Sequence, residues 1–339
     1  MMNDIKITML GTTSAGKTCY MIAMYAKMSE GVKGFTLGTT DPDKDIHLSD
    51  MWEKLESETG DSRWPRPTGE ESQSYQFDFS YGFKRLMRFD WLDYRGGALR
   101  DDSSKKDVQD LTEQLLKSSC VFLCVSGEFL KEGANPQVVK KARIDRMNNP
   151  FMQKLTDSGR VVPVVIVITK YDLCSHRSKE QVLKDIRQLF NPLFAKGEGW
   201  PVMICPVTLG EGLANDINSG LINPHQVHLP LIFAIYSEYL QNTLNKQNEV
   251  ETVYQTTQDL EQELQEARSR GWLTILIDDF KGRDPVGNVR GKLKQANQKL
   301  AQHSAEFEKL ATRLHLLMQE LDTEAVSIYL DGEELRMEK

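Results

Sequence analysis

Gly11-Thr12-Thr13-Ser14-Ala15-Gly16-Lys17-Thr18 stands directly after the apolar run Ile5-Lys6-Ile7-Thr8-Met9-Leu10 and directly before a helix-forming stretch that reaches Met28. The segment satisfies G-x-x-x-x-G-K-[S/T] at every fixed position. Between a strand and a helix this spacing has a physical meaning. Two glycines let the backbone curl until its N–H groups converge, and the positive end of the helix dipole points at the same spot. Together they form a nest for a phosphate chain. Lys17 would reach the outer phosphates, while the Thr18 hydroxyl is a hard oxygen suited to Mg²⁺. The candidate binding residues run from Gly11 through Cys19. A chance match in a chain of this length is roughly one in a hundred, so a plain glycine turn is the lesser reading.

Outward from this loop, strand-like and helix-like runs alternate. After the first helix comes a polar stretch of about 40 residues, rich in Asp, Gly and Pro, too long for a passive connection and therefore expected to be functional. Tyr75 to Phe79 alternates polar and aromatic residues, and Tyr81-Gly82 then precedes Leu86 to Leu92, which predicts a hairpin. Further strands are expected at Cys120–Val125, Val161–Thr169 and Val202–Val207, between helices near Val108–Leu116, Val138–Leu155 and Lys179–Leu193. The unbroken Val164-Val165-Ile166-Val167-Ile168 suits a central parallel strand buried on both faces. The pattern predicts an α/β domain over residues 1–225 and a helical module over 226–339. In that module Val250, Val253, Thr257, Leu260, Leu264 and Ala267 form one 3-4 seam. Leu293, Ala296, Leu300, His303, Phe307, Leu310, Leu314, Leu317 and Leu321 form another. Two helices of about 40 residues, each roughly 60 Å long, are expected to fold back as an antiparallel hairpin or to pair between molecules.

Two more motifs come after the phosphate loop in order. Asp93-Tyr94-Arg95-Gly96 ends the strand Leu86–Leu92, where a carboxylate can meet a metal shell and a glycine N–H the terminal phosphate. Thr169-Lys170-Tyr171-Asp172 closes the most apolar strand, at the carboxyl edge where such sheets bind ligands. The Asp172 carboxylate can accept from guanine's N1–H and N2 amine, a donor pair adenine lacks, and Lys170 can lay its stem along the ring.

With these three motifs in order, residues 1–225 resemble the Ras-like, translation-factor-related class of P-loop GTPases, in particular small GTPases of bacterial type. The resemblance implies a mostly parallel six-stranded sheet with helices on both faces, GTP/GDP and Mg²⁺ as ligands, and hydrolysis of GTP to GDP and phosphate. It implies nucleotide contacts from Gly11–Cys19, Asp93, Gly96, Thr169, Lys170 and Asp172, with Thr208 in Pro206-Val207-Thr208 as a loose match to the last base-contacting loop. It implies metal ligation by Thr18, Asp93 and a switch threonine, for which Thr68 in Trp64-Pro65-Arg66-Pro67-Thr68 is the choice. Lys17, Thr68, Gly96 and Ser14 are the implied catalytic set. Two departures stand out. Gly97 occupies the place of the glutamine that orients the attacking water, and Thr169 replaces the commoner asparagine. The second feature, with Ser14-Ala15-Gly16-Lys17, looks like dynamin-type GTPases, where a serine at the Ser14 position stabilises transition-state charge in paired domains. Hydrolysis stimulated by self-association or by a partner is therefore expected, with Arg95 and Arg100 as further charge stabilisers to consider.

Composition narrows the class. Hydrophobic residues make up 40% and charged ones 27%, and the net charge of −7 argues against non-specific nucleic-acid binding. Five scattered cysteines, with no paired spacing, read as reduced core residues. The chain opens without a basic, apolar, cleavable segment, and Val161 to Ile168 is far shorter than a membrane span, so a cytoplasmic protein is expected. Trp272-Leu273-Thr274-Ile275-Leu276-Ile277, at the hairpin tip, needs cover. Asp278-Asp279 beside it offers nothing to anionic lipid, which favours a protein partner or a second copy over a membrane. A nucleotide-gated switch is expected; a dynamin-like membrane GTPase and a non-hydrolysing nucleotide-binding scaffold are the alternatives.

Overall fold

The computed structural model describes residues 5–66, 72–94, 105–148, 153–213, 215–269 and 285–335. The chain forms two compact units: one runs up to Ile235 and resumes at Glu320, the other is Tyr236–Gln319. The sequence had assigned everything from residue 226 onward to the helical module.

The first unit is built on a mixed sheet of β1 (Ile5–Leu10), β2 (Phe35–Thr39), β3 (Gln73–Tyr81), β4 (Lys84–Asp93), β5 (Cys120–Ser126), β6 (Val164–Thr169), β7 (Pro201–Pro206), β8 (Ser327–Leu330) and β9 (Glu333–Leu335). Their order is β2-β3-β4-β1-β5-β6-β7-β8-β9. This corrects the expected mostly parallel six-stranded sheet. The five strands β4-β1-β5-β6-β7 are parallel, but β3 pairs antiparallel with β4 and β2 with β3, and at the far edge β8 and β9 are antiparallel additions. Their cause is local. Phe35-Thr36-Leu37 alternates inward and outward, and it lies in the stretch whose polarity concealed it. The β8–β9 turn uses Asp331 and Gly332, both at positive φ, and the Asp331 carboxylate accepts from the N–H groups of Gly197 and Gly199.

β5 and β6 are buried at every residue, as strands covered on both sides must be. On one face Val121, Leu123, Ile166 and Ile168 pack with Leu111 and Leu115 of α3 (Lys105–Leu116). On the other, Tyr20 of α1 (Lys17–Glu30) meets Trp91 and Phe122, with ring centroids 6.4 Å apart in each pair. Helices therefore cover both faces.

The long polar stretch is not a loop. It holds β2 and α2 (Pro42–Ser57), which starts where the Asp41 side chain accepts from the Asp43 N–H and Pro42 occupies the first turn. The helix expected over Val138–Leu155 is broken into α4 (Pro136–Lys141), α5 (Ile144–Arg146) and α6 (Gln153–Asp157). Arg143 sits at φ 55 between the first two, and Pro150 bars a continuous helix before the third. α7 (Lys179–Leu189) opens with a reciprocal Ser178–Gln181 capping box, and beyond its end Pro192 turns the chain into a short 3-10 turn, Asn191–Phe194.

α8 (Leu229–Ser269) and α9 (Pro285–Leu321) supply the second unit. Lys246 pairs with Glu306 at 2.5 Å and Glu249 lies 3.2 Å from His303, so numbers rise on one helix as they fall on the other. The helices are antiparallel. Thr257, Ala296 and Leu317 on the seams are buried, and His303 is satisfied across the pair rather than left as a polar break. The tip Trp272–Ile277 lies outside the described residues. Among the described residues no helix is long and apolar enough to cross a membrane.

Candidate nucleotide site

The site collects at the carboxyl ends of the parallel strands, the edge at which open α/β sheets bind ligands. Gly11 turns the chain off β1 so close to β5 that a Cβ would stand 2.8 Å from the Cys124 carbonyl oxygen. Gly16, at φ 79, delivers the chain into α1 in a left-handed conformation that glycine alone adopts freely. No side chain caps α1, so its leading N–H groups remain for an external anion.

Lys17 is only 5% exposed, and its ammonium donates to the carbonyl oxygens of Gly11 at 3.0 Å and Thr12 at 3.1 Å. The cation is thus folded back over the loop. Thr18 Oγ1 donates to Asp93 Oδ2 at 3.0 Å, joining residues 75 positions apart. Asp93, at the end of β4, is fully buried, and its Oδ1 finds no hydrogen-bond partner among the described residues. Burial pushes its pKa up, against the pull of Lys17 and the Thr18 hydroxyl. A desolvated carboxylate with one oxygen unsatisfied, beside a hydroxyl, is a donor set of hard oxygens. It fits a small divalent cation such as Mg²⁺.

The base side is built by β6 and β7. Thr169 Oγ1 donates to the Ala15 carbonyl at 2.6 Å and so ties the end of β6 to the phosphate loop. Here the short β-branched residue does a structural task within reach of its hydroxyl. Lys170 comes next at φ 50, and the residues after it form the 3-10 turn Tyr171–Cys174 that presents Asp172. Thr208 Oγ1 lies 3.4 Å from Asp172 Oδ1 and donates to the Gly210 carbonyl at 2.9 Å. The two loops are laced together, Tyr171 N–H to Val207 O at 3.2 Å and Val207 N–H to Ile168 O at 2.8 Å.

Ser14, Gly16, Cys19, Thr169, Lys170, Asp172 and Thr208 line one cavity of about 470 Å³, within the range of small-molecule sites. Lys17, Thr18 and Asp93 form the second cluster, joined to the first through the same loop and α1. Thr12 and Ser14 are partly or fully exposed on the loop, Thr13 is exposed, and Ala15 is buried. Cys19 is a wall residue whose thiol is pushed up to about 12 by burial, so it stays protonated. Thr68, Gly96, Arg95, Gly97 and Arg100 lie outside the described residues.

Sequence reading missed the apolar and charged remainder of the wall: Trp64, Glu128, Lys131, Leu209, Leu213 and Ile217. It also missed Gly127. A Cβ at Gly127 would sit 2.4 Å from the Lys170 carbonyl oxygen, so the close approach of the β5 and β6 ends depends on it. Its place directly after the buried strand ending at Ser126 was the available signal.

No family model matches the chain, and no curated protein matches it. Solved structures similar to it include the S. cerevisiae Ski7 GTPase-like domain bound to GTP, at 14% identity over 60% of this chain and 42% of that one, with TM-score 0.32. The matched stretch thus spans less than half the Ski7 chain. The FeoB G-domain from Methanococcus jannaschii matches at 13% identity over 61% and 87% of the two chains, TM-score 0.28. The signal recognition particle receptor SRb-GTP/SRX complex from Chaetomium thermophilum matches at 13% over 55% and 82%, TM-score 0.29. Likenesses this loose say nothing about the site.

Proposed function

We propose that the sheet unit binds a guanine nucleotide with Mg²⁺, hydrolyses GTP to GDP and phosphate, and uses the nucleotide as a switch. The observation that carries this reading is the 3.0 Å bond from Thr18 to the buried, half-unsatisfied Asp93, beside a lysine already held over a capless helix start. The α1 N–H groups and Lys17 bind the phosphates, and Thr18 and Asp93 hold the cation. When bound, that cation neutralises charge on the phosphate oxygens. Asp172, across the same loop, accepts from guanine's N1–H and N2 amine.

Gly97 brings no side chain to orient water, and Ser14 stands exposed at φ 65 on the loop. These two features support hydrolysis completed by a partner or a second copy of the chain, with the helical unit as the surface that transmits or receives the change. Turnover per molecule should rise with protein concentration if the second copy is the activator, and a flat profile leaves only a separate partner. Calorimetry with GTP, GDP and ATP, with and without Mg²⁺, tests the whole. Saturable guanine-nucleotide binding and weak or absent ATP binding are expected; equal affinity for both bases, or none for either, refutes it.

A further inference from the structure

Arg63 is 2% exposed, although it sits in a short 3-10 turn, Asp61–Arg63, at the end of a polar stretch. Its guanidinium is spent on backbone. Nε and Nη2 donate to the Leu55 carbonyl at 3.1 and 2.7 Å, and Nη1 donates to the Gly220 carbonyl at 2.8 Å. Leu55 belongs to α2, and Gly220 ends the loop that begins at Leu209, so one side chain joins two segments 157 positions apart. A second bond, Gly60 N–H to Asn218 O at 2.7 Å, closes the same seam. Gly220 is packed without slack: a Cβ there would meet Asp216 O at 2.7 Å and Leu213 Cδ1 at 2.8 Å.

Both sides of that seam face the nucleotide cavity. Trp64 comes from the Arg63 side, and Leu209, Leu213 and Ile217 come from the Gly220 side. The Trp64 indole N–H is covered and finds no partner among the described residues, so its own polar group does not anchor the ring. The guanidinium carbon of Arg63, 5.5 Å from the ring centroid, does.

We propose that Arg63 is a positioning residue of the nucleotide cavity: it binds the Asp61–Trp64 turn to the loop ending at Gly220, so that Trp64, Leu213 and Ile217 close as one wall on the nucleoside and slow its release. The inference rests on the guanine-nucleotide reading, and the wall touches the nucleoside end rather than the phosphates.

The test monitors dissociation of a fluorescent N-methylanthraniloyl GDP from the full chain by stopped flow, with Mg²⁺-pyrophosphate affinity as the control. Arg63→Met should speed release at least tenfold and leave pyrophosphate affinity within threefold. Arg63→Lys, which keeps the charge but not the fork, should fall between. Ile217→Ala alters a residue 47% exposed and so spares the fold; it should speed release at least threefold. A folded Arg63→Met protein that melts lower but releases the ligand at the wild-type rate makes Arg63 merely structural and overturns the proposal. Should Arg63→Met not fold, wild-type release from Ile217→Ala overturns it. If the wild type holds the adenine analogue instead and Arg63→Met speeds its release, the positioning role stands and the guanine reading falls. If the wild type holds neither analogue, both fall.

Discussion

Gly127→Ala puts one methyl group where the ends of β5 and β6 come closest. Built on the present backbone, its Cβ lies 2.4 Å from the Lys170 carbonyl oxygen, 3.1 Å from the Lys170 carbonyl carbon and 3.2 Å from the Thr169 oxygen. Real Cβ atoms essentially never come within 3.0 Å of such a neighbour, so the Lys170 peptide retreats by at least 0.6 Å. It cannot retreat alone. Thr169 is hydrogen-bonded to Ala15, and Lys170 opens the turn that presents Asp172. Overpacking of this kind costs about 1–3 kcal/mol of stability, or a drop of several degrees in melting temperature. Losing one of the two hydrogen bonds from guanine to Asp172 costs about 1.5–3 kcal/mol. At 1.4 kcal/mol per decade, GDP affinity falls by roughly ten- to hundredfold. Calorimetry with GDP and with pyrophosphate, both with Mg²⁺, separates base from phosphate recognition. Pyrophosphate should bind within threefold of wild type, because the 11–18 loop does not touch the new methyl. A Gly127→Ala protein with unchanged melting temperature and a GDP affinity within twofold of wild type would refute the reasoning.

Asp172→Asn keeps the shape of the base loop but turns one acceptor oxygen into a donor that faces guanine's N–H groups. The preference for GDP over ADP should shrink at least tenfold in competition binding, with pyrophosphate affinity unchanged; an intact preference would remove Asp172 from base selection. Asp78, on β3, accepts from Arg88 of β4 at 2.7 and 3.0 Å, and those hydrogen bonds hold its carboxyl below the usual carboxylate range. A depressed folded pKa adds stability above the unfolded value of about 3.9 and loses it as pH falls through the folded one. Because Arg88 is 40% exposed, screening limits this to about 0.5–1 kcal/mol. Asp78→Asn should therefore melt slightly lower than wild type at pH 7, and the gap should close below about pH 4; a gap that persists in acid contradicts the assignment.

What the sequence made legible was set by local chemistry. The phosphate loop announces itself because glycine, lysine and threonine must occupy fixed places around a phosphate chain, and the residues between them are free. The central strands were equally plain, since burial on both faces leaves an unbroken apolar run such as Val164–Ile168. Edge strands carry no such mark. β2, β8 and β9 are held by pairing with a neighbour far along the chain, and their composition alone gives little sign of it. The broken helix between Val138 and Leu155 failed for the opposite reason, in that apolar spacing continued across residues whose backbone turns aside at Arg143.

The base end of the cavity was hidden for a third reason. Motif reading finds residues that a ligand's charge or hydrogen bonds demand, and an apolar wall makes no such demand. Trp64, Leu213 and Ile217 could be exchanged for other large side chains without leaving any pattern, and only their convergence in space marks them. The same holds for Arg63, which on sequence is one more arginine in a polar stretch. Its burial and its bonds to two distant carbonyls show why that stretch is long: it must run from β2 through α2 and return to the loop beyond β7 before the chain enters β3. A shorter connection could join α1 to β3, but it could not carry a guanidinium to Gly220. The length expected to signal function thus does so by bringing one wall of the cavity from one side of the parallel strands to the other.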